Sequence, residues 1–203
     1  MASPNFDSLS VSLSHLIDDP VAAAATDGST VTSAYRTIFL NDGVRNCLRN
    51  WVQRGDWMAL RSYLLDGSAT LENNSKTLSS WTGTPFIILS AKNSTDNVLI
   101  NEAPQELKHV LDTGMYSNYF TASATNQFYV VTGGSFVLID GGTTTGDTVY
   151  LRYVKEHTNL TVANATDIEI DSQYWDELLQ EAYKIYLRRH PTNKNVQALQ
   201  IAK

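Results

Sequence analysis

Apolar positions along the chain divide it into a helical beginning, a β-rich middle and a helical end. Residues 1–29 form a polar arm of small residues. Within it Leu9, Leu13, Leu16 and Ile17 share one helical face, although Leu9 to Leu13 also alternates as a strand would. Pro20 to Gly28 reads as a linker. A helix is predicted over 31–54, where Val31, Tyr35, Ile38, Val44, Leu48 and Trp51 follow one stripe. Thr30 or Thr32 can cap its start. Asn41 falls inside the stripe and Gly43 within the same turn. Glycine costs about 1 kcal/mol against alanine in a helix, so this turn is either tightly packed or irregular. Gly55-Asp56 ends the element, and Trp57 to Leu65 fits either a short helix or the start of a strand.

The middle has a different period. Phe86 to Ala91 is an apolar run, Asn93-Ser94-Thr95-Asp96 a turn, and Val98 to Ile100 a further strand. Pro104 suits the first position of a short helix, with Leu107, Val110 and Leu111 on its apolar side and Gly114 at its end. Gln127 to Thr132 and Ser135 to Asp140 are β-branched and aromatic runs split by Gly133-Gly134, a two-residue hairpin signal. A Gly/Thr loop at 141–146 leads to a strand over Thr148 to Val154. A last helix, capped by Asp171 or Ser172, places Tyr174, Leu178, Ala182 and Ile185 on one face and stops at Pro191. The expected architecture is therefore α+β: a helical bundle from the N- and C-terminal helices, with an inserted antiparallel β-rich domain. Its divisions are an arm with a short helix at 1–29, a helical part at 30–66, and a β-rich insert at 67–166 with a short helix at 104–113. A C-terminal helix at 167–191 and a tail at 192–203 follow. Tyr35, Ile38, Asn41, Leu48 and Trp51 should pack against Tyr174, Leu178, Ala182 and Ile185.

Composition narrows the function. The 203 residues are 42% hydrophobic with a formal net charge of −6. That charge lacks the basic footprint of a nucleic-acid binder. Cys47 is the single cysteine, so no disulfide can form within the chain. No stretch approaches the roughly 20 apolar residues of a membrane span, and the first residues lack the form of a secretory signal. Asn-x-Ser/Thr triplets begin at Asn73, Asn93, Asn159 and Asn164, a frequency expected of a chain this rich in those residues.

Candidate chemistry is sparse. His15, His109, His157 and His190 form no zinc-binding spacing with each other or with Cys47. His190 follows Arg188-Arg189 at a helix end, where positive charge is favourable, and Asp176 and Glu177 occupy a first turn, where negative charge is. Asp167, Glu169 and Asp171 alternate with Ile168 and Ile170, the pattern of an extended, half-buried lead-in. The glycine-rich stretches match neither a phosphate-binding loop nor a nucleophile elbow. No catalytic residue, metal ligand or cofactor is expected, and the reading is of a protein that is not an enzyme. Basic residues gather late, at Lys184, Arg188, Arg189, Lys194 and Lys203. With Val196, Leu199 and Ile201 as anchors they suit a tail that orders on an acidic partner.

Four stretches in order resemble the head-to-tail adaptor (connector, or neck) proteins of tailed bacteriophages. Leu13-Ser14-His15-Leu16-Ile17-Asp18-Asp19 looks like the family's opening helix. Phe39-Leu40-Asn41-Asp42-Gly43-Val44-Arg45 is similar to its first-helix signature. Ile87-Ile88-Leu89, and Val98 through Leu111, resemble the strands and short helix of its insert. Val149 to Tyr153, Ile168 to Asp171 and Tyr174 to Tyr186 resemble its closing strand, acidic lead-in and last helix. The lead-in lacks a proline before Tyr174, and the loop at 141–146 is this chain's own. The resemblance implies a structural virion protein, made in the host cytoplasm and placed in the neck. It implies a ring of identical subunits, usually twelve, docked on the portal protein. Tail or further neck proteins would bind the other side, and DNA would pass through the lumen without specific binding. No membrane would be involved. Arg188, Arg189, His190, Lys194, Val196, Leu199, Ile201 and Lys203 would then meet the portal. Two other classes fit less of the pattern. One is a β-sandwich carbohydrate-binding module of a phage tail or receptor-binding protein, using Trp81, Tyr116, Tyr119 and Phe120 as stacking platforms. The other is a hydrolase without a recognised motif.

Overall fold

A computed structural model describes residues 6–17, 33–104, 122–141, 146–160 and 169–189. The linker at 20–28, the short helix expected after Pro104, the loop at 142–145 and the tail at 192–203 lie outside the described residues. So do the side chains of Tyr35 and its two helical predecessors. The fold is α+β, with helices from both ends of the chain in contact and a β-rich domain inserted between them. It divides into a helical unit, Met1–Ser62 with His157–Lys203, and a sheet unit, Tyr63–Glu156. The sequence had placed the insert at 67–166. The sheet unit begins earlier because its first strand is polar, and closes earlier because the chain beyond Glu156 joins the helices.

The helical unit contains α1 (Phe6–Leu16), α2 (Ser33–Arg54), the single turn α3 (Trp57–Leu60) and α4 (Trp175–Arg189). The ambiguous arm is thus helical, with Leu9, Leu13 and Ile17 buried. On α2, Leu40, Val44, Cys47, Leu48 and Trp51 are fully buried. Ile38 departs from expectation: it is 44% exposed. It lies on the same side as Asp42, Arg45 and Arg49, while Phe39 turns inward and meets Tyr186 edge to face at 5.6 Å. On α4, Leu178, Ala182, Ile185 and Tyr186 are buried. Tyr174 sits just outside α4, in a 3₁₀ turn over Ser172–Tyr174 that Asp171 caps by accepting from the Gln173 N–H. Its ring lies 5.3 Å from that of Trp51.

Gly43 explains its place in a helix. A Cβ added there would lie 3.1–3.2 Å from the backbone and Cβ of Ala182, so α2 and α4 approach almost backbone to backbone. Two small residues meeting let the helices close to a distance that side chains would otherwise forbid. Two residues earlier, Asn41 is 8% exposed. Its Nδ2 donates to the Leu160 carbonyl at 3.1 Å, and its Oδ1 accepts the Leu160 N–H at 2.7 Å. Both polar groups of an incoming extended segment are satisfied by one side-chain amide. Farther along, the Arg36 Nε donates to Ser10 Oγ at 3.1 Å, a buried polar tie between α1 and α2.

The sheet unit is one seven-stranded sheet in the order β1-β7-β3-β4-β5-β6-β2. The strands are Leu64–Thr70, Ser75–Thr77, Pro85–Asn93, Val98–Glu102, Gln127–Thr132, Ser135–Ile139 and Thr148–Lys155. All neighbours run antiparallel except β4 and β5, which are parallel. The Gly133-Gly134 turn has φ of +57° and +75°, the left-handed values a two-residue hairpin requires. Leu71, Trp81, Tyr129, Phe136, Leu138, Leu151 and Tyr153 form the main core of this unit. Gly67 lets Trp81 and Tyr153 lie against the β1 backbone, where a Cβ would come within 3.1 Å of the Tyr153 hydroxyl and 3.2 Å of the Trp81 ring.

Two substitutions separate these contacts. Gly43→Leu forces the two helices apart and should lower stability by about 2–3 kcal/mol. Asn41→Ala orphans the Leu160 N–H and C=O and should cost about 2 kcal/mol. Urea unfolding followed by circular dichroism measures both; an effect of Gly43→Leu no larger than that of an exposed helical glycine would contradict the close approach.

Candidate interaction site

Helix α4 is charged in the sense its dipole favours, with Asp176 and Glu177 in the first turn and Arg188 and Arg189 in the last. Each end also has a specific partner. Glu177 accepts from Trp51 Nε1 at 2.9 Å and from Arg54 Nη2 at 2.8 Å, which locks the start of α4 to the end of α2. Arg189 Nη2 lies 2.8 Å from Asp42 Oδ2, and its guanidinium stands 5.6 Å over the Phe39 ring. Arg189 is therefore engaged in holding α4 to α2. Arg188 is exposed. Of the residues expected to meet a partner, His190, Lys194, Val196, Leu199, Ile201 and Lys203 lie outside the described residues.

A polar groove of about 450 Å³ runs between α2 and α4, lined by Asn50, Gln53, Arg54, Glu177, Glu181 and Lys184 among others. Its carboxylates are already paired, Glu177 with Arg54 and Glu181 with Lys184 at 2.6 Å. Below the groove, Cys47 is buried. Burial, and then the charges of Glu177 and Glu181, push its thiol up from an ordinary 9.0 to about 12. A thiol held protonated is a poor nucleophile. The sheet unit has a smaller notch of about 230 Å³, lined by Leu78, Pro85, Phe86, Ile88, Tyr129 and Val131 among others. It opens where β4 pairs with β3 only at Ala91–Asn93. Burial first, and then the charge and hydrogen bond of Glu102, push the Tyr129 phenol upward.

Several large apolar side chains are exposed, two of them in the stretch after Asp56 that fits either a helix or a strand. Trp57 and Met58 are 52% and 64% exposed, side by side on the single turn α3, which Asp56 caps through the Ala59 N–H. Leu99, Val131 and Tyr150 are exposed on the sheet. Two adjacent large apolar residues cannot both face inward from a one-turn helix, and this was the signal available in the sequence. Trp81, a stacking platform in the carbohydrate-binding reading, is 3% exposed and packs 6.0 Å from the Phe136 ring. Tyr116, Tyr119 and Phe120 lie outside the described residues.

Among the described residues, no helix is long and apolar enough to cross a membrane, and no three His, Cys, Asp or Glu side chains converge as metal ligands would. Neither the protein-family models nor the curated proteins compared with this sequence match it.

The buried thiol gives a pH-dependent prediction. A neutral form favoured by folding contributes stability below the unfolded pKa and loses it as pH rises through the folded one. The Cys47 contribution should therefore be present below about pH 9 and decline toward pH 12. Cys47→Ala should unfold with a shallower loss of stability across that window in denaturant titrations at stepped pH. Native protein should label with a thiol reagent only as fast as it opens.

Proposed function

We propose that this chain is a structural subunit of a tailed-phage neck, a head-to-tail adaptor that assembles as a ring on the portal and leads DNA toward the tail. The observation that carries this reading is the architecture. Helices from both ends of the chain pack into one unit around a backbone-close contact, and a β-rich domain is inserted between them. The resemblance in the sequence follows the same order. Further support comes from the end of α4, where Arg189 pairs with Asp42 and ties the last turn of the helix to α2. The basic and apolar residues from Lys194 to Lys203 follow α4 in the sequence. They suit a segment that folds on an acidic or grooved partner surface. The net charge of −6 suits a lumen that DNA passes without gripping.

In this reading the sheet unit meets neighbouring subunits or tail-side proteins, and no substrate is turned over. Single-particle electron microscopy of the protein, alone and with its portal, tests it. A closed ring, formed alone or only on the portal, is the expected result. Truncation after His190 should abolish portal docking while the far-ultraviolet spectrum and the melting temperature stay within a few degrees of the full chain. A protein that remains monomeric and ignores the portal overturns the assignment.

A further inference from the structure

The two edges of the sheet differ. Edge strands carry unpaired backbone groups, and folded proteins blunt them with short strands, lysines, prolines or bulges. β2 follows this rule: it is three residues long and carries Lys76. β1 does not. It pairs with β7 from Leu64 to Thr70 in unbroken register, and it contains neither proline nor lysine.

The ladder decides which groups of β1 face outward. The Tyr63 carbonyl accepts the Lys155 N–H, and the Leu71 N–H donates to the Asp147 carbonyl, both at 2.8 Å. In an antiparallel pair, alternate residues turn both backbone groups to the same neighbour. Leu65, Gly67 and Ala69 therefore face β7, while Leu64, Asp66, Ser68 and Thr70 point their N–H and C=O groups away from it. Among the described residues, these outward groups have no backbone partner. The side chains carry the same signature. Leu65 and Ala69 pack against the core of the sheet unit yet stay half-buried, and Asp66, Ser68 and Thr70 are exposed.

We propose that β1 is a self-association edge, to which a second copy of this chain adds its own β1, antiparallel, about a two-fold axis at Gly67. The edge complements itself in that register. Leu64 lies opposite Thr70 of the second copy and Asp66 opposite its Ser68, so every outward backbone group gains a partner. On the core side Leu65 meets Ala69 of the second copy, and the axis passes between two glycines, where no side chains collide. On the solvent side no two carboxylates stand directly opposite, and each Asp66 keeps its own Arg152 at 3.9 Å. Of the nearest registers that match outward groups, one sets Asp66 against Asp66, a destabilising pair, and the other leaves Leu64 unpartnered in the strand. Charge thus selects the symmetric register, and a second copy is the occupant that fits it. The contact is isologous and closes on itself, so it cannot by itself build a ring. It stands or falls separately from the adaptor reading.

Sedimentation velocity of the full chain over a concentration series, with amide exchange read residue by residue, tests the proposal. The expected result is a monomer–dimer equilibrium in which the amides of Asp66, Ser68 and Thr70 gain protection as the dimer forms. Ser68→Pro removes an outward N–H, leaves the bonds to β7 in place and should abolish the dimer. Ser68→Asp sets like charges opposite each other at two symmetric places and should weaken dimerisation about tenfold, whereas Ser68→Lys faces a cation to each Asp66 and should tighten it. Ser68 is exposed, so the charge variants fold and decide the matter if Ser68→Pro does not. A chain that stays monomeric, a dimer whose β1 amides stay unprotected, or a dimer that Ser68→Asp and Ser68→Lys weaken alike overturns the proposal. A ring on the portal with β1 exchange unchanged overturns it too, and leaves the adaptor reading standing.

Discussion

The contact between Gly43 and Ala182 sets the geometry of the helical unit. Because no side chain separates the two backbones there, the neighbouring turns are brought into range of each other. Phe39 reaches Tyr186, Trp51 reaches both Tyr174 and Glu177, and Asp42 reaches Arg189. Each of these pairs joins residues far apart in sequence. A bulkier residue at either small position would separate all of them together, which is why one glycine in the middle of α2 matters more than its modest helix propensity suggests. Asn41 extends the same logic to the chain after the sheet, since its amide replaces the two backbone partners that Leu160 would otherwise lack.

Much of this was legible in the sequence, because helical periodicity and turn chemistry are local. The stripes on α2 and α4, the cap at Asp171, the Gly-Gly hairpin and the run of strands from β3 to β7 all follow from neighbours within a few residues. What escaped is what depends on distant partners. Strand β1, LLDGSAT, and strand β2, SKT, carry too few apolar residues to announce themselves. Both are edge strands, recruited by pairing with β7 and β6. The parallel junction of β4 with β5 also has no local signature. Ile38 misled in the other direction: it fits a loose stripe by spacing, yet Phe39, one residue on, is the side chain that meets α4.

The cluster of Asn93, Asp96, Gln127 and Asp147 at one end of the sheet was hidden for a related reason. Side chains that hydrogen-bond to one another from separate loops leave no local trace in the sequence. Asn93 and Asp96 read as an ordinary turn, Gln127 as a strand beginning and Asp147 as the residue between a Gly/Thr loop and a strand. Only the strand order brings them together, with Asn93 at the centre because it ends the strand that neighbours both β4 and β7. Arg189 shows the converse. The sequence offers it as a free basic residue beside Arg188, but Asp42 and Phe39 already occupy it.

The pairing of β1 with β7 bears on how the chain folds. Tyr63 and Lys155, at the two ends of the sheet unit, are joined by a backbone hydrogen bond of 2.8 Å. Once that pair forms, the long excursion between them no longer counts as an open loop, and the segments on either side leave from neighbouring strands. The entropy of closing a loop grows with its length, so the helices from the two ends of the chain meet across a short effective distance. The sheet then acts as a clasp. Its assembly converts the most remote contacts of the helical unit, those of α2 with α4, into nearly local ones, and contacts of that kind form fast.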